Sequence, residues 1–383
     1  MVKKRGSGEG SIYKRKDGRW VGQYTVQTAE GPKYRYVYGK IRQVVAEKLT
    51  KAMADRDGGL TFDAGKVKVE EYLDRWLSDS VRDTVRPGTF RDYEWLIRRH
   101  IKPTLGRVKL KSLTPVHARR LYREKLDSGL SSRTVNYIHV TLHKALKQAV
   151  NDGLIPRNVT DAVKAPRPIK KEVQSFTPDQ AHVFLEAARG DRLEALYVIA
   201  ITTGLRQGEL LGLRWTDIDL DSGKLAVRRV LVAGSVGSKA GAAFDAPKNN
   251  KSRRTVKLVG PAVEALKRHK AAQNAERLKL GSLWKDHGLV FPNRVGKPMD
   301  HNNLYKRDFK KMLKKAELPN AFRFHDLRHT CATLLLLENV NPKIVQETLG
   351  HAMITQTMDT YSHVLPTMQD AATEAMESVL YGG

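Results

Sequence analysis

The spacing of apolar residues changes along the chain, and the first stretch alternates with a period of two. Between residues 11 and 38, short runs rich in aromatic and β-branched residues are separated by Asp17-Gly18 and Gly31-Pro32. Such runs between turn signals predict three short strands. Residues 41–56 then show helical spacing. The first module is therefore predicted to be a three-stranded sheet braced by one helix.

From residue 67 the apolar positions follow the helical period. The first stripe, at i, i+3, i+4, i+7 and i+8, consists of Val69, Tyr72, Leu73, Trp76 and Leu77. Three further helices are predicted to begin after Pro87-Gly88-Thr89, at Thr114-Pro115 and after Ser131-Ser132, where proline and hydroxyl residues are start signals. This segment is predicted to be a helical module.

The C-terminal part follows a linker at 164–171, whose two prolines resist helix formation. It opens with the capping box Thr177-Pro178-Asp179-Gln180 and is predicted to be mostly helical. Two strands, 225–232 and 254–258, flank a Gly/Ala-rich insertion at 233–246. The fold class is therefore mainly α with small β-sheets (α+β), because helices dominate both later parts. The expected domains are 1–62, 63–165 and 166–383.

The net charge of the chain indicates the class of its binding partner. The chain has 68 Lys and Arg against 41 Asp and Glu, which gives a net charge of +27 and favours binding to nucleic acid. The single cysteine, Cys331, excludes an intramolecular disulfide and suits a reducing cytosol. No apolar run of about 18 residues occurs, so no membrane-spanning segment is expected. A membrane partner is not expected either, because the basic residues are not laid out on one continuous amphipathic helix beside aromatic residues. We expect a cytoplasmic protein that is neither secreted nor membrane-spanning.

The candidate chemistry lies near the C-terminus. His325, Arg328 and His351 can surround a phosphate, and the phenol of Tyr361 can attack it. Alone, each residue has a simpler explanation, since a chain with 13 tyrosines uses most of them for packing or surface. The His325-x-x-x-His329 spacing also suits a metal site, but the motif lacks the glutamate of the zinc protease signature and an obvious third ligand.

Two earlier segments complete an ordered set. Arg206 follows an apolar helix and a turn at Gly204, and Lys248 lies in a basic turn that runs into a strand. The set resembles the catalytic signature of the tyrosine recombinases, the phage-integrase type of site-specific DNA recombinase. The matching residues are Arg206, Lys248, His325, Arg328, His351 and Tyr361.

The resemblance implies an integrase that cleaves and rejoins DNA through a 3′-phosphotyrosyl intermediate and thereby integrates or excises a mobile element such as a phage. It implies that 1–62 binds arm sites, that 63–165 clamps the core site and that 166–383 is catalytic. It further implies a tetramer on double-stranded DNA, no metal, nucleotide or other cofactor, and an excisionase or a host DNA-bending protein as a further partner.

Each residue of the set has a role that suits strand transfer. Arg206 and Arg328 can hold the nonbridging oxygens of the transition state bidentately, and His351 can hydrogen-bond the phosphate. His325 is predicted to be the base for the Tyr361 phenol. Glu209 is predicted to orient a catalytic residue, and His329 is expected to be structural.

The proton for the departing 5′-oxygen is assigned to Lys248, whose pKa can fall beside two guanidiniums. Lys239 and Lys251 are close in sequence and remain alternatives. Lys248 is preferred because the lysine of the resembling family sits in this turn, just before the strand.

Candidate DNA contacts are basic residues in the first two modules. A basic sheet can enter the major groove, although a solvated hairpin would carry the same charges. A solvated helix face likewise resembles a phosphate-binding one. The sheet candidates are Lys14, Arg15, Lys16, Arg19, Lys33 and Arg35, and the helical candidates are Arg98, Arg99, Arg133 and Lys144.

Two other functions remain open at this point. A type IB topoisomerase uses similar chemistry but relaxes supercoils as a monomer, and little in the first 165 residues resembles one. A noncatalytic DNA-binding regulator would keep the basic modules but would not need the six-residue set. Relaxation and recombination assays on one plasmid would separate the three.

Overall fold

The computed structural model describes residues 10–28, 31–57, 67–169, 173–232, 244–247, 253–361, 373 and 376–381. The chain divides into two compact units, Met1–Lys170 and Lys171–Gly383. The division falls inside the predicted 164–171 linker. Across the described ranges, no helix combines the length and apolar character needed to cross a bilayer.

The first unit begins with an antiparallel sheet whose strand order is β1-β2-β3. Its elements are β1 (Ser11–Lys14), β2 (Trp20–Thr28), β3 (Gly31–Gly39) and the helix α1 (Arg42–Asp57). Tyr24 and Val26 of β2 pack against Leu49 of α1 in a small core. The predicted sheet with one bracing helix is confirmed.

The rest of the first unit is a helical module with a second, larger core. Ser131 caps its longest helix by accepting a hydrogen bond from the Thr134 amide at 3.2 Å, as the sequence signal predicted. The helices are α2 (Val69–Arg75), α3 (Pro87–Leu96), α4 (Lys102–Leu105), α5 (Pro115–Asp127) and α6 (Ser132–Asn151). Wider π-type turns extend α2 and α3 over Trp76–Val81 and Ile97–Ile101, and 3₁₀ turns lie at Leu110–Ser112 and Val159–Ala162.

The second unit is mostly helical. Its helices are α7 (Pro178–Ala188), α8 (Glu194–Thr203), α9 (Gln207–Gly212), α10 (Gly260–Leu280), α11 (His301–Asn303), α12 (Lys310–Lys315), α13 (Asp326–Leu337), α14 (Pro342–Leu349) and α15 (Ile354–Tyr361). A π-type segment at Leu304–Phe309 and 3₁₀ turns at Trp215–Asp217 and Gly281–Leu283 complete them. α8 is apolar on nearly all sides because α10 and α13 both pack against it.

In the described part of this unit, five short strands accompany the helices. They are β4 (Ile218–Asp219), β5 (Lys224–Val227), β6 (Val230–Leu231), β7 (Phe244–Asp245) and β8 (Arg254–Lys257). The sheet β4-β5-β8 is antiparallel, and β6 pairs separately with β7.

The prediction of one continuous strand over 225–232 was wrong. The chain leaves the sheet at Arg228 and Arg229, and the second half pairs with β7 instead. The break coincides with an ion pair, because the Arg229 guanidinium binds the carboxylate of Asp217, which is buried. Alternation alone does not reveal such a pairing.

Candidate active site

The turn between α8 and α9 lies at the centre of the site. Gly204 ends α8 in the left-handed conformation, with φ of 62°, which favours glycine. Space requires glycine too, because a Cβ atom there would lie 2.4 Å from Leu349 Cδ2. The Gly204 carbonyl accepts a hydrogen bond from Arg328 Nη1 at 2.6 Å. The turn therefore fixes one end of the Arg328 guanidinium.

Glu209 sits buried between two guanidiniums. Its carboxylate accepts a bond of 2.8 Å from Arg206 Nη1 and one of 3.2 Å from Arg254 Nη2. Burial alone would raise the pKa of Glu209, but Arg254 and Arg206 lower it below its usual value. The carboxylate is thus ionised and orients both arginines, in agreement with the predicted role of Glu209.

Arg254 connects this pair to a third element. Its Nε donates to the Thr348 carbonyl at 2.7 Å, near the end of α14. Arg254 belongs to β8 and is nearly buried. The strand β8 therefore adds a guanidinium to the site, and the sequence had suggested no role for this residue.

Arg328 is buried, with 2% of its surface exposed. Within the described ranges, its Nη2 has no hydrogen-bond partner. Burial, followed by the charge of Arg206, lowers its pKa to about 9, so the guanidinium stays charged at neutral pH. A buried cation whose donor has no partner among the described residues favours the binding of an anion.

His351 follows Gly350, which ends α14 with φ of 66°. The His351 Nδ1 lies 2.8 Å from Thr357 Oγ1, a buried hydroxyl on α15. Burial, and then the charges of Arg328 and Arg206, lower the pKa of His351 to about 3. His351 is therefore neutral at physiological pH, and its other nitrogen is available to a ligand.

Tyr361 ends α15 and is 1% exposed. Its hydroxyl oxygen lies 2.8 Å from Nδ1 of His329. The geometry favours His329 over the predicted His325 as the base for this phenol, because His329, one helical turn later on α13, makes the contact. It also does not favour the expectation that His329 is only structural. Burial raises the pKa of Tyr361, while Arg328 acts in the opposite direction.

His325 lies just before α13, and part of its ring is open to solvent. Its ring meets the His329 ring edge-on, with 4.9 Å between centroids. The surrounding protein, then His329, Arg328 and Arg206, lower the pKa of His325 to about 4. It is a neutral imidazole within reach of the same charges as His351.

The structure thus brings five of the six predicted residues to one place: Arg206, His325, Arg328, His351 and Tyr361. Lys248, like its alternatives Lys239 and Lys251, lies outside the described residues. Two guanidiniums, those of Arg206 and Arg254, bind the Glu209 carboxylate, and Arg328 adds a third positive charge, which leaves an excess of positive charge around a buried phenol. Nowhere in the described ranges do three His, Cys, Asp or Glu side chains gather in a metal-binding arrangement.

The low pKa of His351 predicts an acid-sensitive fold. The folded pKa lies below the ordinary 6.5, so between these values the unfolded chain binds a proton that the folded chain does not. The free energy of unfolding should therefore fall as pH drops below 6.5. Between pH 6 and 5, the free energy of unfolding of His351→Asn should change with pH less steeply than that of the wild type, by about 1 kcal/mol per pH unit. Urea unfolding at several pH values measures the slope, and identical slopes would contradict the assignment.

The candidate DNA-contact residues of the first sheet do not share one face. Strand register places Lys14, Lys33 and Arg35 on the side of the sheet that faces α1, although all three are exposed. Arg15, Lys16 and Arg19 lie at the β1–β2 turn and are also exposed. The face turned away from α1 carries exposed tyrosines, which are Tyr13, Tyr34, Tyr36 and Tyr38.

The helical candidates are exposed as well. Arg98 and Arg99 lie on the extension of α3. On α6, the Arg133 guanidinium lies 5.9 Å from the Tyr137 ring centre, and Lys144 Nζ donates to the Tyr93 hydroxyl at 2.7 Å. These aromatic contacts hold the two cations at the surface, where a phosphate can reach them.

Comparison with known proteins places these features in a family. Residues 174–368 match the Phage integrase family, and residues 68–126 match the phage integrase N-terminal SAM-like domain. The chain is 33% identical to a XerC-like tyrosine recombinase of Caldanaerobacter subterraneus, over 89% of this chain and 91% of that protein. It is 27% identical to an integrase of Saccharopolyspora erythraea, over 98% of each.

The solved structure of a transposon integrase is also similar to this chain. The Tn1549 transposon integrase in complex with a circular intermediate DNA superposes with a TM-score of 0.68 at 25% identity. The match covers 81% of this chain and 100% of that one.

Proposed function

The chain belongs to the phage integrase family, and we propose that it is a site-specific DNA recombinase that integrates or excises a mobile element through a 3′-phosphotyrosyl intermediate. The observation that carries this proposal is the pairing of a buried phenol with a buried guanidinium that has a free donor. Tyr361 supplies the nucleophile, and Arg328 Nη2 is a donor without a partner among the described residues. The charge of each group influences the pKa of the other.

A tyrosine is the nucleophile that rejoining requires. Strand cleavage and religation without ATP conserve the phosphodiester energy only if the attacking group stays bound as a new ester. A phenolic oxygen does this, whereas water releases the energy by hydrolysis. Tyr361 is held at the end of α15 beside cations that neutralise the phosphate.

Arg206 and Arg328 bind the nonbridging oxygens, where negative charge accumulates in the transition state. Each guanidinium is fixed by the protein on one side, Arg206 by Glu209 and Arg328 by the Gly204 carbonyl. On the opposite side of each fork, no hydrogen bond to another described residue is made, and we assign that side to the phosphate. Such fixed donors need no reorganisation during the reaction.

The remaining polar groups complete the cycle. His351 donates from Nε2 to the phosphate when the Thr357 hydroxyl donates to Nδ1, which sets that tautomer. His325 contributes a second neutral imidazole at the phosphate. Lys248 is our choice for the acid that protonates the departing 5′-oxygen, because it precedes β8 and Arg254 in the sequence by only a few residues.

DNA is the partner that charge and relatives both support. The Tn1549 integrase is bound to DNA in the matching structure, and this chain carries +27 net charge. We assign it a tetrameric assembly on two DNA sites, an excisionase or host DNA-bending protein as helper, and a cytoplasmic location. No metal or nucleotide takes part in the proposed chemistry.

The domain boundaries 1–62, 63–165 and 166–383 are part of this proposal. Two separate hydrophobic cores within the first unit support the first boundary. A chain starting near Asp63 is expected to cleave a short core-site duplex normally but to recombine long sites poorly. Its affinity for long DNA should show a shallower salt dependence, because fewer counterions are released.

Adduct formation and recombination by the truncated and intact chains, compared across a salt series, provide the measurement. Equal recombination by both would show that the sheet is not an arm-binding module. Loss of core-site cleavage would show that it belongs to the catalytic clamp.

The proposed function is tested on one plasmid. Covalent complexes trapped with SDS in host cells and then sequenced give the attachment sites, and a supercoiled plasmid carrying two of them is incubated with the protein in EDTA. We expect recombinant products in a defined orientation. Relaxation without recombination would favour a topoisomerase, binding without cleavage a regulator, and a strict need for a divalent ion a metal site.

A further inference from the structure

The contact between His329 and Tyr361 has a definite geometry. The His329 Nδ1 and the Tyr361 hydroxyl oxygen are 2.8 Å apart, and the rings meet at 60° with centroids 5.8 Å apart. His329 is partly buried on α13, and Tyr361 is buried on α15. A phenol buried to this degree is neutral and carries its proton, so its O–H donates to Nδ1.

We propose that His329 is the catalytic residue that accepts the phenolic proton when Tyr361 attacks DNA. This inference rests on the proposed function, because it takes Tyr361 as the nucleophile. It assigns to His329 the role that the sequence suggested for His325. The His325 ring faces the His329 ring edge-on at 4.9 Å, whereas the hydrogen bond of the phenol goes to His329.

The electrostatic surroundings support this assignment. Burial lowers the pKa of His329 to about 4, Asp326 acts against this shift, and Arg323 and Arg328 reinforce it. The imidazole is therefore neutral at pH 7 and keeps a free lone pair. A bound phosphodiester adds negative charge beside these cations and raises the pKa of the imidazole, which makes it a stronger base when substrate is present.

In the cleavage step, one bond to phosphorus replaces another and two protons are transferred. The bond from the Tyr361 oxygen to phosphorus forms while the bond from phosphorus to the 5′-oxygen breaks. The phenolic proton moves to His329 Nδ1, and the 5′-oxygen takes a proton from the general acid, proposed as Lys248. During rejoining, the 5′-hydroxyl attacks phosphorus and gives its proton back to the lysine, while the imidazolium returns its proton to the departing tyrosine oxygen. Because burial raises the pKa of Tyr361, proton transfer accompanies attack and does not precede it.

His329→Asn tests the assignment. The asparagine amide oxygen can occupy the position of Nδ1 and accept the phenolic hydrogen bond, but it cannot take up a proton at neutral pH. Covalent adduct formation at pH 7 is expected to slow by about 10²- to 10³-fold. The rate should then rise about tenfold per pH unit as hydroxide replaces the missing base, while the wild-type rate stays nearly constant. His182→Asn, at an exposed position on α7, is the matched control and should react as wild type.

A substrate with sulfur in place of the departing 5′-oxygen sharpens the test. Its leaving group needs no proton, so it should restore a variant that lacks the general acid but should not restore His329→Asn. His329→Gln, which also offers an amide oxygen, serves as the second variant if His329→Asn does not fold.

Three results would overturn the inference: adduct formation at the wild-type rate, a slow rate that does not respond to pH, or a faster rate. A slow rate without pH response would show that His329 only positions the phenol, and a faster rate that it holds Tyr361 inactive. Failure of the proposed function is a separate result, because the wild type would then form no adduct, or Tyr361→Phe would still form one.

Discussion

Tyr361→Phe is expected to bind DNA within about twofold of the wild-type affinity and to form no SDS-resistant protein–DNA adduct, because only the attacking oxygen is removed. Among the described residues, the hydroxyl makes one hydrogen bond of 2.8 Å, to His329, so its loss costs about 1 kcal/mol of stability. The protein therefore stays folded, and the defect can be assigned to chemistry.

The measurement combines a gel-shift titration with denaturing electrophoresis on a labelled attachment-site duplex. Thermal unfolding of the variant is the control for folding. An adduct in the variant would remove Tyr361 from the reaction, and a loss of DNA binding would show that the side chain has a structural role in the complex.

Arg206→Lys is expected to reduce the rate of adduct formation by about 10²- to 10³-fold although the positive charge is kept. Arg206 uses Nη1 to bind Glu209 at 2.8 Å, which leaves its other amino group for the phosphate. A lysine has a single nitrogen and cannot present a planar fork to both partners. DNA affinity should change much less than the rate, because the second contact strengthens in the transition state.

Arg189→Lys provides the matched control, since Arg189 lies at the end of α7 with its side chain 76% exposed. Single-turnover cleavage of the two variants gives the comparison. Equal rates for Arg206→Lys and wild type would show that charge alone is sufficient at this position, and the bidentate role would be wrong.

Local signals in the sequence predicted most of the fold. The turn at Asp17-Gly18 separates β1 from β2, and Ser131 caps α6. In each case neighbouring residues decide the backbone conformation. The turn signal at Gly31-Pro32 was misplaced, because these two residues begin β3 and pair with Thr28 and Gln27 of β2. The strand expected over 225–232 is interrupted at Arg229, which pairs with Asp217, and that contact depends on tertiary structure.

The candidate site was predictable only in part, for the same reason. His325 lies just before α13 and His329 lies one turn further along, so helical spacing places both on one face. Which of them meets Tyr361 depends on where α15 lies, and periodicity does not specify that. Arg254 likewise reaches Glu209 across 45 positions of sequence, and no local pattern indicates this pairing.

The proposed reaction requires that the Tyr361 oxygen becomes covalently attached to DNA. It is tested most directly with a nicked attachment-site duplex that traps the intermediate, followed by protease and nuclease digestion and tandem mass spectrometry. We expect a nucleotide linked through its 3′-phosphate to Tyr361, with a free 5′-hydroxyl on the other DNA end. A nucleotide on any other residue, or a linkage through a 5′-phosphate, would contradict the account.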